Sequence, residues 1–597
     1  METAWLKIGM YILILLQHNI FNLLLTSGSP SVSLNYQCYF RDLQYHFKPI
    51  NYMKIFKLIL VLSLLIICSS TFAQTDKASI YITSKKLYEK KNYGAAAKAF
   101  DSINSGTLST GKLYQGACIY ALNSEYAKAF ALLDLLADQK YYSNYEHISA
   151  DEDLVNLHND VKWDALLKKV RSNLSDLPKR KLETIYTQLM TAKQLLTKDA
   201  GGLWGEPIWS DDIFVLDYDN TIYALTPFPG SLTNDHQLYY AHVPVNTFAF
   251  VNTIQSYQGK EYATVLYNYL SDHSITIIHE LFHLLQLKNM KLSGDAVAYL
   301  DQFDARELLR LEYQALRNSL SSIVNKSPKM KITSFLEDAL LFRKLRQATY
   351  SGYLQKELEI ETLEGLANYT GFTLSTAENK YEAAIEEIYQ RENSETYTRP
   401  FPYATGVAYG LIFDHLGLNW KTGLKHVYNF LSIYEVNKLI DTSPESIMMA
   451  KRKNSFEQIH QEEIIRRDKN DRLINYYRNL LLVKPTVSVQ IGENYGRTFN
   501  MNGTIEIPGT GTVYSSIQGR DKSGKNFGNF TTIEDFASLG KAGILLLKDY
   551  KTLVFPAPIK IIGKKVIGET YEIELNEGWT VEKNESDHNF TIKTHNF

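Results

Sequence analysis

Cysteine is scarce in this chain of 597 residues, which holds only Cys38, Cys68 and Cys118. Three cysteines so far apart are too few for a disulfide framework or a cysteine-ligated metal site. An excess of one charge is also lacking, because the formal net charge is −2, so nothing suggests a nucleic-acid partner. The apolar, aromatic and charged fractions are those of an ordinary globular protein, and the length predicts three or four domains.

The amino-terminal region lacks a hydrophobic run long enough for a permanent membrane span. Residues 1–52 show no clear periodicity, so no domain is predicted there. Together with the pattern that begins at Met53, this predicts that residues 1–52 are an over-extended start, upstream of the natural one. From Met53, two lysines, the apolar run Leu58–Cys68 and a small-residue stretch form the pattern of a signal peptide over residues 53–73. We therefore predict translation from Met53, cleavage after Ala73 and export to the periplasm or the extracellular space.

A lipid anchor at Cys68 is the alternative to cleavage after the signal peptide. It is disfavoured because the bulky Ile67 precedes that cysteine. Cleavage would remove Cys38 and Cys68 and leave Cys118 alone, so the mature protein is expected to have no internal disulfide.

What the chain does contain is a His-Glu-x-x-His motif within the apolar run 274–286. On a helix, positions four apart share a face, so His279 and His283 can bind one metal ion. Glu280 stands beside the first histidine, where a carboxylate can take a proton from a water molecule at zinc. Gln286 shares a face with His283 and is expected to line the same cleft and to support the ligands without binding the metal itself. The alternative is a pair of core histidines without metal, but such a buried polar set is costly without partners.

Two histidines and a water molecule leave tetrahedral zinc one ligand short. The metzincin continuation of the motif is absent, because Gln286 and Met290 occupy the positions that it requires. The third ligand must therefore come from a later part of the chain, and a carboxylate is favoured. The candidates are Glu364, Glu312 and Glu361.

The block Glu364-Gly365-Leu366-Ala367-Asn368-Tyr369 resembles the gluzincin metallopeptidases, whose third ligand is a glutamate on a later helix in a Glu-Gly-x-Ala-x-Tyr setting. The resemblance implies that Glu364 is the third zinc ligand and that Asn368 orients a ligating histidine. Glu364 follows His283 by 81 residues (364 − 283 = 81), so it also implies a helical insertion. The Gly-x-Met-Glu-Asn block of the aminopeptidases is absent, which argues against that activity.

Further blocks extend the resemblance over roughly residues 180–585. Together they are similar to a family of exported bacterial proteins regarded as zinc peptidases. The blocks are Arg310–Leu316, Glu364–Gly371, Tyr403–Gly406 and Glu577–Trp579.

Glu312 and Glu361 remain the competing third ligands. Glu312 lies 29 residues after the second histidine (312 − 283 = 29), which is nearer the usual gluzincin spacing. A glutamate there could instead pair with Arg310 or Arg317. Glu361 shares a face with Glu364, but the residue four positions after it is Gly365, which can orient nothing.

A peptide carbonyl under attack develops negative charge on its oxygen, and gluzincins place a tyrosine or histidine there to stabilise it. Tyr403 and Tyr409 both follow the third-ligand block. Tyr403 is favoured because it borders a loop.

Residues 76–175 carry a repeat whose period of 33 approximates that of tetratricopeptide units. The matched positions are Tyr81 and Tyr114, Tyr93 and Tyr126, Ala96 and Ala129, and Phe100 and Leu133. The predicted units are Lys77–Ser102 and Gly111–Ala137, closed by a helical unit over Asp151–Val170. Such a segment either binds a protein partner or caps the next domain.

Residues 180–482 are predicted to form the catalytic domain, with short strands before the motif and helices after it. The predicted strands are Ile213–Leu216, Thr221–Leu225, Asn252–Tyr257 and Glu261–Tyr267. The predicted helices are Lys181–Lys198, Asp304–Leu320, Ser334–Ala348, Glu357–Thr370, Thr405–Leu416, Trp420–Phe430 and Ser455–Leu482. Strands before such a helix are either scaffold or an edge that pairs with an extended peptide. Recurring glycines and alternating runs predict a β-rich domain over residues 485–597.

The sequence therefore predicts a multidomain α+β protein that is an exported zinc metallopeptidase. Zn²⁺ is expected on His279, His283 and Glu364, with Glu280 as the general base. Two alternatives stay open at this point. One is a zinc hydrolase of a non-peptide amide or ester, and the other is a non-enzymatic binding protein with a structural zinc site.

Overall fold

The computed structural model describes residues 80–103, 108–233, 237–245, 247–267, 274–375, 379–492, 495–499, 504–521, 525–532 and 543–594. The predicted over-extended start (1–52) and signal peptide (53–73) lie outside these residues. In the described part of the chain, no helix combines the length and the apolar character needed to cross a membrane.

The helices fall into an amino-terminal group and a larger group around the motif. They are α1 (Ile80–Glu89), α2 (Tyr93–Phe100), α3 (Thr110–Leu122), α4 (Tyr126–Gln139), α5 (Tyr145–Ala150), α6 (Val161–Asp199), α7 (Ser274–Asn289), α8 (Phe303–Val324), α9 (Lys329–Thr349), α10 (Leu354–Ile360), α11 (Leu366–Leu374), α12 (Lys380–Glu392), α13 (Phe401–Leu416), α14 (Phe430–Glu435), α15 (Pro444–Lys453) and α16 (Phe456–Arg478). Shorter 3₁₀ segments span Glu152–Leu157, Ala298–Asp301 and Ser351–Tyr353, and π-helical turns span Glu361–Gly365 and Asn479–Val483.

The strands form three sheets. They are β1 (Ile213–Leu216), β2 (Thr221–Ala224), β3 (Leu232–Thr233), β4 (Tyr239–His242), β5 (Thr253–Tyr257), β6 (Lys260–Leu266), β7 (Thr486–Gln490), β8 (Gly496–Phe499), β9 (Thr504–Ile507), β10 (Gly511–Tyr514), β11 (Ile517–Arg520), β12 (Gly528–Thr532), β13 (Ile544–Leu547), β14 (Thr552–Pro556), β15 (Lys560–Ile562), β16 (Lys565–Ile567), β17 (Tyr571–Leu575), β18 (Trp579–Lys583) and β19 (Phe590–Thr594). The predicted fold class, multidomain α+β, is confirmed by this combination of a helical half and three sheets.

In the amino-terminal region, two helix pairs, α1 with α2 and α3 with α4, coincide with the two predicted repeat units. Ala96 and Ala129, the small residues of the repeat, are both fully buried where the helices touch. Gly116 has the same reason to be small, because an added Cβ would lie 2.3 Å from the Phe100 ring. Close packing of these helices thus explains the small residues of the pattern.

Helix α6 joins the repeats to the rest of the molecule without a linker. Trp163 and Val170, near its start, belong to the core of the repeats. Ile185 and Leu189, further along, belong to the core around the motif. The predicted boundary at residues 175–180 therefore falls inside one continuous helix, which runs on through Pro178.

The motif helix α7 is central in the larger core. A mixed sheet in the order β3-β4-β2-β1-β6-β5 lies beside it, with β1 and β6 parallel and the other neighbours antiparallel. Four apolar side chains of α7 are completely buried: Ile277, Ile278, Leu281 and Phe282. The apolar residues that made the motif a predicted central helix thus anchor it between the sheet and the later helices.

Helical segments fill the long interval between His283 and Glu364 in the chain. Helices α8 and α9 pack against each other and separate α7 from the Glu364 segment along the chain. Together with the 3₁₀ turns and α10, they account for the long spacing between His283 and Glu364.

One predicted helix, Trp420–Phe430, is wrong. Most of this stretch is irregular, and α14 begins only at Phe430. Gly423 has a positive φ of 82°, which interrupts a helix. Trp420 and Tyr428 are buried against the Trp204 ring, so tertiary aromatic packing determines the path of this segment.

The carboxyl-terminal region is a β-sandwich. One sheet has the order β18-β19-β7-β14-β13-β10-β9, and the other has the order β15-β16-β17-β12-β11-β8. Alternate residues of both sheets point into one core, such as Val487 and Phe555 from the first and Phe530 and Ile573 from the second. The period-two pattern read from the sequence explains this arrangement.

Candidate metal centre

His279 and His283 face each other on one side of α7, as residues four apart on a helix must. Their Nε2 atoms are 3.0 Å apart, and the rings are nearly perpendicular, at 84°. Both side chains are largely buried, with exposures of 8% and 11%. Two imidazole nitrogens at this separation can serve one metal ion.

Glu364 completes the group from the π-helical turn Glu361–Gly365. Its Oε2 lies 3.4 Å from Nε2 of His279 and 3.5 Å from Nε2 of His283. One ligand atom from each of the three residues lies within 4.8 Å of the others. The structure thus brings together the three residues that the sequence and the resemblance selected.

Two glycines allow the Glu364 turn to sit close to α13. An added Cβ on Gly406 would lie 2.3 Å from Cα of Gly365, and one on Gly365 would lie 3.1 Å from Cα of Gly406. Single π-helical turns recur at functional sites, where they re-aim a side chain. Here the turn and the close contact place Glu364 and the first turn of α13 side by side.

Glu280 lies on the same helix beside the histidines and is 5% exposed. Its Oε2 atom is buried and has no hydrogen-bond partner among the described residues. Burial raises the pKa of Glu280 to about 7, with a smaller opposing effect from His283 and a further rise from Glu364. An unpartnered buried carboxylate oxygen is a costly feature that calls for a ligand or a water molecule.

The pKa values of the three ligand candidates depend on one another as well as on burial. Burial lowers the pKa of His279 to about 4. For His283 burial acts in the same direction, but hydrogen bonding to Glu364 outweighs it and raises the pKa to about 8. Burial would raise the pKa of Glu364, yet the two histidines hold it far below its usual range. Glu364 is therefore an anion at neutral pH.

Tyr403 lies in the first turn of α13, next to the loop that the sequence indicated. Its hydroxyl donates to Oε2 of Glu364 at 2.7 Å, and its ring is parallel to the ring of His279. Burial, with the nearby charge of Glu364, raises the pKa of Tyr403, so the hydroxyl keeps its proton and remains a donor. Tyr409, the other candidate, is fully buried and donates to Glu312 instead.

Arg391 is a neighbour of the site that sequence reasoning missed. Its guanidinium lies 4.6 Å from the centre of the Tyr403 ring, and Glu387 binds it on the same helix, α12. Their spacing of four residues is a signal of a helical ion pair that the sequence does contain.

Gln286 contacts a ligand candidate, as expected of a residue that supports the site, whereas Asn368 does not orient a histidine. Gln286 is only 1% exposed and bonds to Nδ1 of His283 at 2.8 Å, so it supports a ligand and does not line the cleft. Asn368 bonds to neither histidine in the described part of the chain. Its amide donates to the backbone carbonyl of Tyr403 at 2.7 Å and approaches Glu387 at 3.5 Å, so it fixes the start of α13.

The competing glutamates belong to a separate buried group, which we call the arginine–glutamate cluster: Glu312, Arg343, Arg346, Glu357 and Glu361. Arg343 binds both oxygens of Glu361 at 2.6 Å and one oxygen of Glu312 at 2.8 Å. Arg346 binds Glu312 at 2.7 Å and Glu357 at 2.8 Å. Neither Glu312 nor Glu361 is therefore available to a metal.

Pairing of Glu312 with Arg310 or Arg317, one of the alternatives to metal binding, does not occur. Both arginines bind Glu392 of α12. They point to a different side of α8 from Glu312, which faces α9.

The described residues hold one further group of metal-binding side chains, formed by Cys118, Asp151 and Asp153 in the repeats. Its carboxylates already have partners. Tyr114 donates to Asp151 at 2.8 Å, and Tyr88 donates to Asp153. Protein hydrogen bonds account for this group without a metal.

The residues at the motif fit a zinc ion. Two imidazoles and one carboxylate are the donor set of many catalytic zinc sites. Glu280 and Glu364 place two carboxylates in one buried region, and a neighbouring guanidinium, that of Arg391, is already paired with Glu387. A divalent cation could replace the proton of His283 and balance the charge of both carboxylates.

Comparison of the chain with protein-family models, with curated proteins and with solved structures found no match.

Proposed function

We propose that the protein is a zinc-dependent hydrolase of peptide bonds, with the site on α7 as its active centre. The observation that carries the proposal is the convergence of His279, His283 and Glu364 beside the buried, unpartnered carboxylate of Glu280. Bound zinc would supply a Lewis acid for the scissile carbonyl and would lower the pKa of a water molecule.

The number of ligands favours a catalytic site over a structural one. Structural zinc sites in proteins usually have four protein ligands, whereas catalytic sites have three and keep one position open. Among the described residues, three side chains converge here. This favours an enzyme over the alternative of a binding protein with structural zinc.

Glu280 is assigned as the general base and then as the proton carrier to the leaving amine. It is adjacent to His279 in the chain but does not bind the ligand nitrogens, and its free Oε2 can accept a proton from water. Tyr403 is assigned as the donor to the developing oxyanion, because its protonated hydroxyl already points at Glu364 Oε2.

The sheet beside α7 supports a peptide as the substrate. β5 is an edge strand, and within the described residues it pairs with β6 alone. It also contacts α7. An extended peptide can add to such an edge through its backbone, which binds peptides of many sequences. A small non-peptide amide or ester would make no use of this edge.

We further propose that the protein is exported and that the helical repeats cap the catalytic region. Lys112 of α3 binds Glu386 of α12 in an ion pair, and Tyr389 of α12 donates to Glu89 of α1 at 3.0 Å. These contacts join the repeats to the helix that carries Arg391. Capping therefore has a physical basis in these contacts.

The test is incubation of the purified protein with a mixed peptide library, followed by mass spectrometry of the products. Cleavage that a chelator stops and stoichiometric zinc restores supports the proposal. Hydrolysis of ester or acyl-amide substrates without any peptide cleavage would support the non-peptide hydrolase instead. Bound zinc without any hydrolysis would support a structural site.

A further inference from the structure

Gln286 has a buried side-chain amide whose three hydrogen-bond partners belong to the metal centre. It lies one turn after His283 on α7. Its Oε1 is 2.8 Å from Nδ1 of His283, while its Nε2 lies 2.8 Å from the carbonyl of Thr362 and 3.1 Å from that of Leu363. The side chain thus contacts one ligand histidine and the two residues that precede Glu364.

The two carbonyls determine which way the amide faces. A backbone carbonyl only accepts hydrogen bonds, so the group that faces Thr362 and Leu363 must be the NH₂ of Gln286. Its oxygen therefore faces His283. Because an amide oxygen only accepts, Nδ1 of His283 must carry the hydrogen.

This assignment leaves Nε2 of neutral His283 with its lone pair. That atom is the one that lies 3.0 Å from Nε2 of His279 and 3.5 Å from Oε2 of Glu364. The tautomer that Gln286 imposes is thus the one that a metal ligand requires at this position.

The same amide fixes the turn that carries Glu364. Thr362 and Leu363 lie in the π-helical turn, and the Thr362 side chain is held as well. Its hydroxyl donates to the carbonyl of Leu358 at 2.7 Å and accepts from the backbone N–H of Tyr428 at 2.8 Å. Gln286 therefore links α7 to a turn that is already restrained from its other side.

We propose that Gln286 is a positioning residue that presets both His283 and Glu364 for a single divalent cation. The inference rests on the proposed function for the identity of that ion, and on the hydrogen-bond geometry for the rest. Among side chains of this size, glutamine offers one acceptor and two donors in the required arrangement. Glutamate would keep the acceptor for His283 but would face two carbonyl oxygens, and methionine would fill the space with neither.

Two variants separate the hydrogen bond to His283 from the hydrogen bonds to the Glu364 turn. Gln286→Met removes all of these hydrogen bonds, and Gln286→Glu keeps only the acceptor for His283. Gln347→Met is the matched control, because Gln347 is also a buried glutamine and donates to Glu357 at 3.0 Å, away from the ligands. Zinc dissociation constants are measured by competition with a chromophoric chelator, with folding checked by circular dichroism.

Gln286→Met is expected to weaken zinc binding by about 10- to 100-fold, as changes to residues that orient a ligand do. Gln286→Glu is expected to weaken it as well, because the anchor to the Glu364 turn is lost. Gln347→Met is expected to retain the wild-type affinity. Unchanged affinity in both Gln286 variants would overturn the proposal.

The tautomer itself is read from ¹⁵N shifts of histidine-labelled, metal-free protein at a high pH at which these shifts no longer change with pH, so that the His283 ring is neutral. Signals are assigned by comparison with His283→Gln. The wild type and Gln286→Glu are expected to show the Nδ1–H form, and Gln286→Met a mixture. An Nε2–H tautomer in the wild type would overturn the proposal. This measurement needs no zinc and no turnover, so it still decides the inference if the proposed peptidase activity fails.

Discussion

Two buried polar groups lie on neighbouring helices of the same core and differ in how their charge is balanced. In the arginine–glutamate cluster, two guanidinium groups bind three carboxylates through paired hydrogen bonds. At the metal centre, Glu280 and Glu364 lie near two histidines, and one oxygen of Glu280 has no partner in the described part of the chain. Guanidinium groups stay charged at all ordinary pH values, so the first group keeps its own cations, whereas the imidazoles of the second can give up a proton and bind a divalent cation in its place.

Glu280→Gln is the change that should separate the two groups most sharply. The amide keeps the shape of the side chain but cannot accept the proton, so turnover is expected to fall by about 10²- to 10⁴-fold. Zinc content should stay stoichiometric, because Glu280 is not a ligand. The measurement is peptide cleavage together with metal analysis.

Glu357→Gln in the arginine–glutamate cluster is the control for that change. It should lower the stability of the protein and leave the turnover per folded molecule unchanged. Retained turnover in Glu280→Gln would reject Glu280 as the base, and loss of zinc from it would mean that Glu280 holds the metal.

Alanine substitutions of Glu364 and Glu312 should affect different properties: the first should weaken zinc binding, and the second should lower stability. Glu364→Ala removes a ligand, so zinc binding should weaken by more than the roughly 100-fold typical of a residue that only orients a ligand. Glu312→Ala leaves Arg343 and Arg346 short of a partner, and the free energy of unfolding should fall by about 3–5 kcal/mol. Zinc analysis and denaturant unfolding of both variants check this. If Glu312→Ala lost the metal while Glu364→Ala kept it, the ligand assignment would be wrong.

Replacing tyrosines in the two groups gives a third contrast. Tyr403→Phe removes the donor at the metal centre, and kcat should fall by about 10²- to 10³-fold with a smaller change in KM. Tyr409→Phe removes a donor to Glu312 and should affect stability alone. Equal losses of kcat in both variants would show that neither hydroxyl acts on the substrate directly.

Acid should lower the free energy of unfolding that the arginine–glutamate cluster contributes. Burial would raise the pKa of Glu357, but Arg346 and Arg343 outweigh it and hold the pKa below its usual value. A carboxyl with a lowered pKa in the folded state contributes stability above its unfolded pKa of about 4.3, and this is lost as the pH falls below that value. Denaturant unfolding between pH 6 and pH 3 should therefore show a falling free energy of unfolding, with a shallower slope in Glu357→Gln. A slope unaffected by that substitution would assign the acid sensitivity to other carboxylates.

The part of the site that the sequence predicted is the part set by local geometry. His279 and His283 lie four residues apart on one apolar helix, and that spacing alone places their rings together. Glu364 could not be reached by spacing, because α8 and α9 intervene, and its selection depended on the resemblance of its neighbouring residues.

Pairings across helices were beyond the sequence. Arg310 and Arg317 were considered as partners of Glu312 because they share a helix with it, but side chains on one helix point in different directions and meet different neighbours. The partners of Glu312 come from α9, and nothing in the local pattern identifies them. The π-helical turn at Glu361 was also unpredicted, since its residues have the composition of an ordinary helix.

Irregular segments were a second limit. The stretch Trp420–Phe430 has apolar residues at helical spacing, yet its aromatic rings pack around Trp204 from an irregular backbone. By contrast, the alternation in the carboxyl-terminal strands predicted a β-rich domain, because a period of two is typical of strands, although it did not show that the strands form a sandwich.

The central claim is the proposal that His279, His283 and Glu364 bind a divalent cation, and thermal unfolding with and without zinc tests it most directly. Zinc at about 1,000 times its dissociation constant should stabilise the wild-type protein by about 4 kcal/mol, because it binds the folded state. Glu364→Ala, measured under the same conditions, should gain far less. An unfolding midpoint that zinc does not raise, or an equal rise in Glu364→Ala, would contradict the account.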